Sequence, residues 1–334
     1  MSSRDQILSL FRRRGGEFLS GQEISQALNI SRAAVWKQVE QLRDLGFEIE
    51  ARRSLGYRLL NGPDLLLAED IEAGLQGDLD WTLTCLSETG STNEDLRLLA
   101  EQGAAEGTVL VADRQSAGRG RLGRRWESPA GINLYCSLLL RPQIPPQQAP
   151  QLTFLSAVAT AEALIDTFEL PVRVKWPNDL LVNGRKIAGM LNEMSAESEQ
   201  VHFVLLGIGV NLNMQASQFP EDLRYPATSV LLERGAVVPR MAFVRTLLEK
   251  IDKFYREYRE EGFRVIRRRW EGLSDLLDQA VRVDLNPGTR EGVVVGLDED
   301  GALRLQLENG QIERILAGDV APISGEQEKE PAGN

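Results

Sequence analysis

At 334 residues, 42% hydrophobic and 26% charged, the chain is long enough for two or three domains with real cores, which excludes disorder throughout. Its longest apolar stretches, such as 204–208 and 138–140, fall far below the roughly 20 residues that span a bilayer, and the N-terminus lacks a signal-peptide apolar region. Net charge is −11, yet residues 1–60 hold 10 Lys and Arg against 7 Asp and Glu, so nucleic-acid contact requires a local basic face there. Two cysteines, Cys85 and Cys136, give neither metal-ligand spacing nor a disulfide framework, and they read as packing residues of a reducing cytoplasm with no membrane partner. One histidine, His202, excludes mechanisms built on several imidazoles; at an alternating strand position it reads as structural or surface. Carboxylates, lysines, arginines and backbone amides remain as the chemical kit.

In chain order, Ser3 with Gln6 starts a short amphipathic helix that Gly15-Gly16 ends, and Ser20 with Glu23 forms a capping box for a second. Ser31 caps a third, in which Val35, Val39 and Leu42 recur at helical spacing before Gly46. Two short strands around 52–56 follow, so residues 1–60 read as a winged helix-turn-helix. With Val35, Val39 and Leu42 turned inward, Ser31, Arg32, Ala33, Trp36 and Lys37 form a recognition-helix face, and Arg52 and Arg53 on the wing could reach phosphates or the minor groove. A charged face on a protein-interaction module is the alternative.

Asn61-Gly62-Pro63-Asp64 reads as a linker, after which an α+β domain runs over 64–275. Helices are expected at 91–101, 150–168 and 240–259, with strands at 108–112, 132–140, 172–176, 187–194 and 202–212. From 276 to 323, short strands joined by Asp300-Gly301 and Asn309-Gly310 hairpins suit a small, SH3-like β-barrel. The polar segment 324–334 reads as a disordered tail.

Two segments carry candidate chemistry. In 118–126, GRGRLGRRW, three glycines expose backbone amides and four arginines supply fixed charge beside an indole, a combination suited to phosphates. A solvated basic loop or RNA-binding patch is the alternative. In 175–189, KWPNDLLVNGRKIAG, the Asn183-Gly184 turn pairs Val182 with Arg185, Leu181 with Lys186 and Asp179 with Ala188, bringing Asp179 and Lys186 to one face. Lys186 could then neutralise charge on a phosphoryl or acyl group in transit; a surface ion pair is the alternative.

These segments, with Ser91-Thr92-Asn93 and GIGVN at 207–211, resemble the biotin-protein ligases. Together with SGQEISQALNISRAAVWKQVEQLRDLGF and GYRL in front, they resemble the family of bifunctional biotin operon repressors and biotin-protein ligases, over residues 4 to about 320. The resemblance implies an ATP-dependent enzyme that forms biotinyl-5'-AMP and transfers biotin to a lysine of a biotin carboxyl carrier protein. It implies biotin contacts from Ser91, Thr92, Asn93, Gln115, Arg119, Gly120, Arg121 and Lys186, with Gly207 and Gly209 leaving room for the apolar bicycle. ATP and the adenylate would lie among Arg121, Arg124, Trp126, Lys175, Asn178 and Asn211, with Trp126 over adenine. Lys186, Arg121 and Asp179 would be catalytic, Asp179 as the Mg²⁺-associated carboxylate. Operator DNA and a ligand-induced homodimer are the other implied partners, and strand 200–212 is a candidate pairing edge. A biotin-sensing regulator without turnover and a lipoate-type ligase are the competing readings.

Overall fold

In this computed structural model residues 3–221, 223, 225–285 and 287–323 are described, and the expected tail 324–334 lies outside them. The chain forms two units, Met1–Gly74 and Leu75–Asn334.

Local chemistry sets the first unit. Helix α1 (Ser3–Arg13) is followed by α2 (Gly21–Leu28) and α3 (Arg32–Asp44). The capping box forms as expected: Ser20 Oγ accepts from the Glu23 amide at 3.1 Å while the Glu23 carboxylate accepts from the Ser20 amide at 2.8 Å. Ser31 Oγ accepts from the Ala34 amide at 3.1 Å. The apolar stripes of the three helices meet in one core with Ile7, Phe11, Ile24, Val35, Val39 and Leu42, closed by Phe47 and Ile49 of a hairpin, β1 (Glu48–Arg52) and β2 (Gly56–Asn61). The chain beyond Asn61-Gly62-Pro63-Asp64 stays with this unit. Leu67 is buried in the same core, and in α4 (Ala68–Glu72) the buried Asp70 accepts from Ser9 Oγ at 2.5 Å and Arg12 Nη1 at 2.8 Å. Removing one partner of such a buried pair costs about 3–5 kcal/mol, so these residues cannot be cut from the helices cheaply.

The second unit is built on a seven-stranded mixed sheet. Its elements are β3 (Thr82–Leu86), α5 (Thr92–Glu101), β4 (Thr108–Ala112), β5 (Leu134–Leu140), α6 (Gln151–Phe168), β6 (Val172–Lys175), β7 (Asp179–Val182), β8 (Arg185–Ala196) and β9 (Val201–Val210). Helices α7 (Val230–Arg234), α8 (Arg240–Glu261) and α9 (Phe263–Leu273) follow. Strand order is β3-β4-β5-β9-β8-β7-β6, with only β3 and β4 parallel. Helix α6 is buried along most of its length because it lies between the sheet and α8 and α9, which explains its nearly uniform apolar sequence.

Two expectations are corrected here. Strand 200–212 is no edge: β9 is paired on both sides, to β5 and to β8, and its continuous apolar run reflects that central place. Besides the end strands β3 and β6, part of β8 is open on one side: its partner β7 ends at Asp179 opposite Gly189, so Leu191–Ala196 pairs with β9 alone. The hairpin register also shifts. Asn183 and Gly184 both take positive φ, and Val182↔Arg185 and Leu181↔Lys186 pair as expected, but a bulge then sets Leu180 opposite Ala188 and Asp179 opposite Gly189.

The remaining strands, β10 (Ala280–Asp284), β11 (Thr289–Leu297), β12 (Leu303–Gln306), β13 (Ile312–Ile315) and β14 (Asp319–Pro322), form an antiparallel sheet in the order β13-β12-β11-β10-β14. Among the described residues no ladder joins β13 to β14, so the expected barrel is an open sheet. Its β11–β12 turn is pressed into the larger sheet domain. The Gly301 carbonyl accepts from Trp176 Nε1 at 3.3 Å, the Glu299 carbonyl accepts from Gln151 Nε2 at 2.7 Å, and a Cβ on Gly301 would fall 2.3 Å from the Phe154 ring. No helix of the described residues is long and apolar enough to cross a membrane.

Candidate functional site: a cleft under the arginine loop

The residues that the sequence singled out for biotin and nucleotide converge on one cleft of about 540 Å³, the size of a small-ligand pocket. Strands β8 and β9 make its floor, the loop 115–127 its roof, and Met214, Phe219, Pro220, Leu223, Tyr225 and Ala227 one wall.

Two side chains lie on the glycines of the floor. A Cβ on Gly207 would sit 2.5 Å from Asn93 Oδ1, and one on Gly209 would sit 2.6 Å from the Trp126 indole. Gly189, paired with Gly209, would bring a Cβ 3.2 Å from the same indole and 3.3 Å from Lys186 Nζ. The space that Gly207 and Gly209 leave is occupied by the Asn93 and Trp126 side chains, which face the cleft. Trp126 Nε1 is buried there without a hydrogen-bond partner.

Around Gly207 the surface is neutral and polar. Gln115 Oε1 accepts from the Thr92 amide at 2.9 Å, and Gln115 Nε2 donates to Ser128 Oγ at 3.0 Å. Fully buried Ser137 lies 2.7 Å from Thr92 Oγ1 and donates to Asn93 Oδ1 at 2.5 Å. Asn93 Nδ2 in turn donates to the Leu191 carbonyl and to Glu193, both at 3.1 Å. Ser91 N-caps α5 without spending its hydroxyl on the cap.

Two residues further along β9, about 7 Å away, the surface is charged. Lys186 Nζ lies 2.6 Å from Asp179 Oδ1, close enough for an ion pair though not aligned as a hydrogen bond, and 5.4 Å from the Trp126 ring centre. Arg121 Nη1 donates to Asn178 Oδ1 at 3.3 Å, Asn178 Nδ2 donates to the Met190 carbonyl at 2.6 Å, and Asn211 Nδ2 donates to the Thr228 carbonyl at 3.1 Å. Each remaining arginine that the sequence placed here is tied to a different element: Arg119 to Glu94 of α5 at 2.6 Å, and Arg124 to Asp319 of β14 at 2.6 Å. Burial pulls the Arg121 pKa below its ordinary value, against the pull of Asp319 and Asp179, whereas the hydrogen bond to Asp319 raises that of Arg124. Both stay cationic. Gly120 sits in the same roof, its amide donating to the Arg124 carbonyl at 2.6 Å.

Sequence reasoning missed several wall residues. Lys175 Nζ stands 3.6 Å from the ring centre of Tyr225, which lines the cleft with Phe219 and Leu223. Nothing local marks Tyr225, whereas Ser137, a hydroxyl within the apolar run of β5, was a readable signal. Asp319 arrives from the C-terminal sheet. Cys136 lines the wall at 1% exposure, and burial pushes its thiol up to about 12, as befits a packing residue. His202 is exposed, 3.4 Å from Glu197. Among the described residues no three His, Cys, Asp or Glu side chains cluster as a metal site.

In the first unit Ser31, Arg32, Ala33, Trp36 and Lys37 are exposed together on α3, and Arg52 and Arg53 are exposed at the wing. Arg52 is bound to Glu50 at 2.6 Å and lies over the Phe18 ring, so a phosphate would have to draw it away from that carboxylate.

Comparison with known proteins agrees with this layout. The Biotin/lipoate A/B protein ligase family matches residues 85–211, an HTH domain matches 3–58, and the Biotin protein ligase C terminal domain matches 276–321. The Bifunctional ligase/repressor BirA of Bacillus subtilis (strain 168) is 40% identical over 318 residues, covering 95% of this chain and 98% of that one. Its namesake from Escherichia coli (strain K12) is 32% identical, covering 93% and 95%. Biotin protein ligase from Aquifex aeolicus, solved in complex with biotin and ATP, superposes with a TM-score of 0.62 at 33% identity, covering 72% of this chain and 98% of that one. With a winged helix, a ligase sheet and a C-terminal sheet in the same order, the chain belongs to the family of bifunctional biotin ligases and repressors.

Proposed function

We propose that the cleft joins biotin to ATP and hands the biotinyl group to a lysine of a biotin carboxyl carrier protein, and that the winged helix represses biotin genes. The observation that carries the reading is the change of surface along β9, from a neutral hydrogen-bonding patch around Asn93 to a cationic one around Lys186. A ligand with a neutral ureido ring at one end and an activated carboxylate at the other fits that order. Asn93, Thr92, Ser91 and Gln115 meet the ring, and Trp126, lying on Gly189 and Gly209 beside Lys186, covers the adenine as the resemblance implies. Arg119 and Gly120 close the roof over biotin.

In the first step a carboxylate oxygen of biotin bonds to the α-phosphorus and the bond to pyrophosphate breaks. No protein nucleophile is needed. Lys186 and Arg121 face the charge that builds on the transferring group, while Lys175, Asn178, Asn211 and Arg124 hold the nucleotide. In the second step the acceptor amine attacks the acyl carbon, loses a proton, and AMP departs. The arginine loop keeps water from the mixed anhydride meanwhile. Magnesium binds through one or two carboxylates plus substrate phosphates, so a single carboxylate with unspent acceptor capacity fits it, and Asp179 is that residue. When bound, the ion would neutralise phosphate charge. The C-terminal strands, short and joined by tight hairpins around buried Val281, Val283, Leu303 and Leu305, support an SH3-like assignment for 276–323, with the catalytic region beginning at Leu75 instead of residue 64 and running to 275.

The reading is tested by mixing the protein with labelled biotin, ATP and a carrier domain. Pyrophosphate release with label on the carrier is expected; biotin binding without pyrophosphate release would leave only a sensor. Arg121→Gly should raise the adenylate off-rate tenfold or more, because it removes the roof's contact with Asn178, and label should then spread to lysines of bystander proteins. An unchanged off-rate with no stray labelling would refute the roof role. The two activities should also separate. A fragment beginning at Leu75 is expected to biotinylate without binding DNA, and to be more soluble than one beginning at Asp64, which carries Leu67 and Asp70 away from their core. Loss of ligase activity in a folded 75–334 fragment would show that the first unit shapes the cleft.

A further inference from the structure

We propose that Trp36 reads the C5-methyl group of thymine in the major groove, which makes it a sequence-specificity residue of the repressor activity. The inference rests on the DNA-binding reading of the first unit.

Helix α3 divides into two faces. Val35, Val39 and Leu42 are buried, while Arg32, Ala33, Trp36 and Lys37 are exposed, and spacings of three and four place these four side by side. Of the five tryptophans, Trp36 alone is exposed, at 58%. Among the described residues no hydrogen bond or ring contact engages it. A bare indole on a solvated helix forfeits the burial that stabilises the others. The unit's own core gives no reason for it.

Charge identifies the occupant. Arg32 and Lys37 flank the indole, Arg53 stands on the wing beside Arg52, which is paired with Glu50 at 2.6 Å, and the acid nearest on α3, Glu40, is bound to Arg43 at 2.7 Å. An otherwise acidic chain thus presents a cationic face with one apolar centre, which fits duplex DNA better than a second copy of an acidic protein. In helix-turn-helix docking the N-terminal residues of the second helix face base edges, and Trp36 is the fifth residue of α3. Thymine's methyl is the apolar feature of the major-groove edge, while guanine and adenine show acceptors there. An indole can only donate, through Nε1, and otherwise offers an apolar face. Ala33 beside it leaves space for close approach.

The test uses the full chain with biotin and ATP and a duplex library of random core sequence. Wild-type protein should enrich a motif with thymine at fixed positions in each half-site, and Trp36→Ala should relax one or two of them by roughly 3- to 10-fold, the scale of one buried methyl group. In the enriched duplex, deoxyuridine in place of that thymine removes only the methyl. It should weaken wild type by the same factor and Trp36→Ala no further, with the salt dependence of both proteins unchanged because no phosphate contact is lost. An identical motif for both proteins, or a uniform loss on every sequence with a shallower salt slope, would overturn the assignment and make Trp36 a backbone contact or bystander. A wild-type protein that enriches no motif would instead sink the DNA-binding reading on which it stands. Equal helical circular dichroism and equal thermal unfolding of the two proteins should confirm that the first unit, which carries Trp36, is folded in both.

Discussion

Lys186→Ala is expected to slow pyrophosphate release by about 10² or more, the scale for removing one group that stabilises charge in the transition state. The fold should tolerate it. Lys186 is held in β8 by its backbone, whose amide donates to the Pro226 carbonyl and whose carbonyl accepts from the Thr228 amide, both at 2.8 Å, and neither bond uses the side chain. Losing Nζ leaves Asp179 without its 2.6 Å partner, yet Arg121 remains close enough for Asp179 to act on its pKa. The carboxylate is not stranded. The main loss should therefore fall on kcat for adenylation, with biotin affinity changed less, because the neutral patch around Asn93 and Ser137 is untouched. Lys186→Arg, which keeps the charge and shifts its position, should recover part of the rate. Pyrophosphate release near wild type in the alanine variant would remove Lys186 from the chemistry and leave it as the structural partner of Asp179.

The first unit was largely legible because its rules are local. A capping box at Ser20 and Glu23, a cap at Ser31 and a period near 3.6 in α3 each depend on neighbours a few residues away. The cleft was legible in another manner, through several motifs occurring together, since nothing in the spacing of Ser91 and Gly207 says that they meet. Long-range placement was not readable. The apolar run of β9 suits an uncovered edge as well as a central strand, and periodicity cannot separate the two. The bulge that moved Asp179 from Ala188 to Gly189 has no sequence mark, although the pair with Lys186 survived it because both residues stayed on one face. Helix α9 was hidden by its arginines, even though Phe263, Ile266 and Trp270 are buried at helical spacing. Asp319 lies 195 residues beyond Arg124, and only the docking of the C-terminal sheet brings them together.

Biotin with ATP, more than biotin alone, is expected to convert the protein to a dimer and thereby switch on operator binding. A single winged helix of net charge +3 on an acidic chain neutralises few phosphates, so one copy binds weakly, whereas two copies on adjacent half-sites gain from effective concentration. The surface we propose for that pairing is the open side of β8. Leu191–Ala196 has β9 on one side only, and Met194 is 47% exposed, the features of a strand edge that another strand would cover. The same strand touches the cleft. Asn93, which the ligand ring would meet, donates to the Leu191 carbonyl and to Glu193, and Glu193 also holds Arg97 at 3.1 Å. Ordering Asn93 therefore fixes the first residues of the edge, and a ligand can favour the dimer by as much as it prefers that fixed arrangement. The coupling must be reciprocal, so operator DNA should tighten retention of the adenylate. Met194→Lys would place like charges across such a pairing and should raise the dimer dissociation constant at least tenfold, with a matching loss of operator binding and pyrophosphate release left near wild type. Sedimentation without ligand, with biotin, and with biotin plus ATP decides it, run beside a titration of the selected duplex. Equal sedimentation in all three conditions, or full operator binding by a monomeric Met194→Lys protein, would detach repression from the cleft while leaving the ligase chemistry intact.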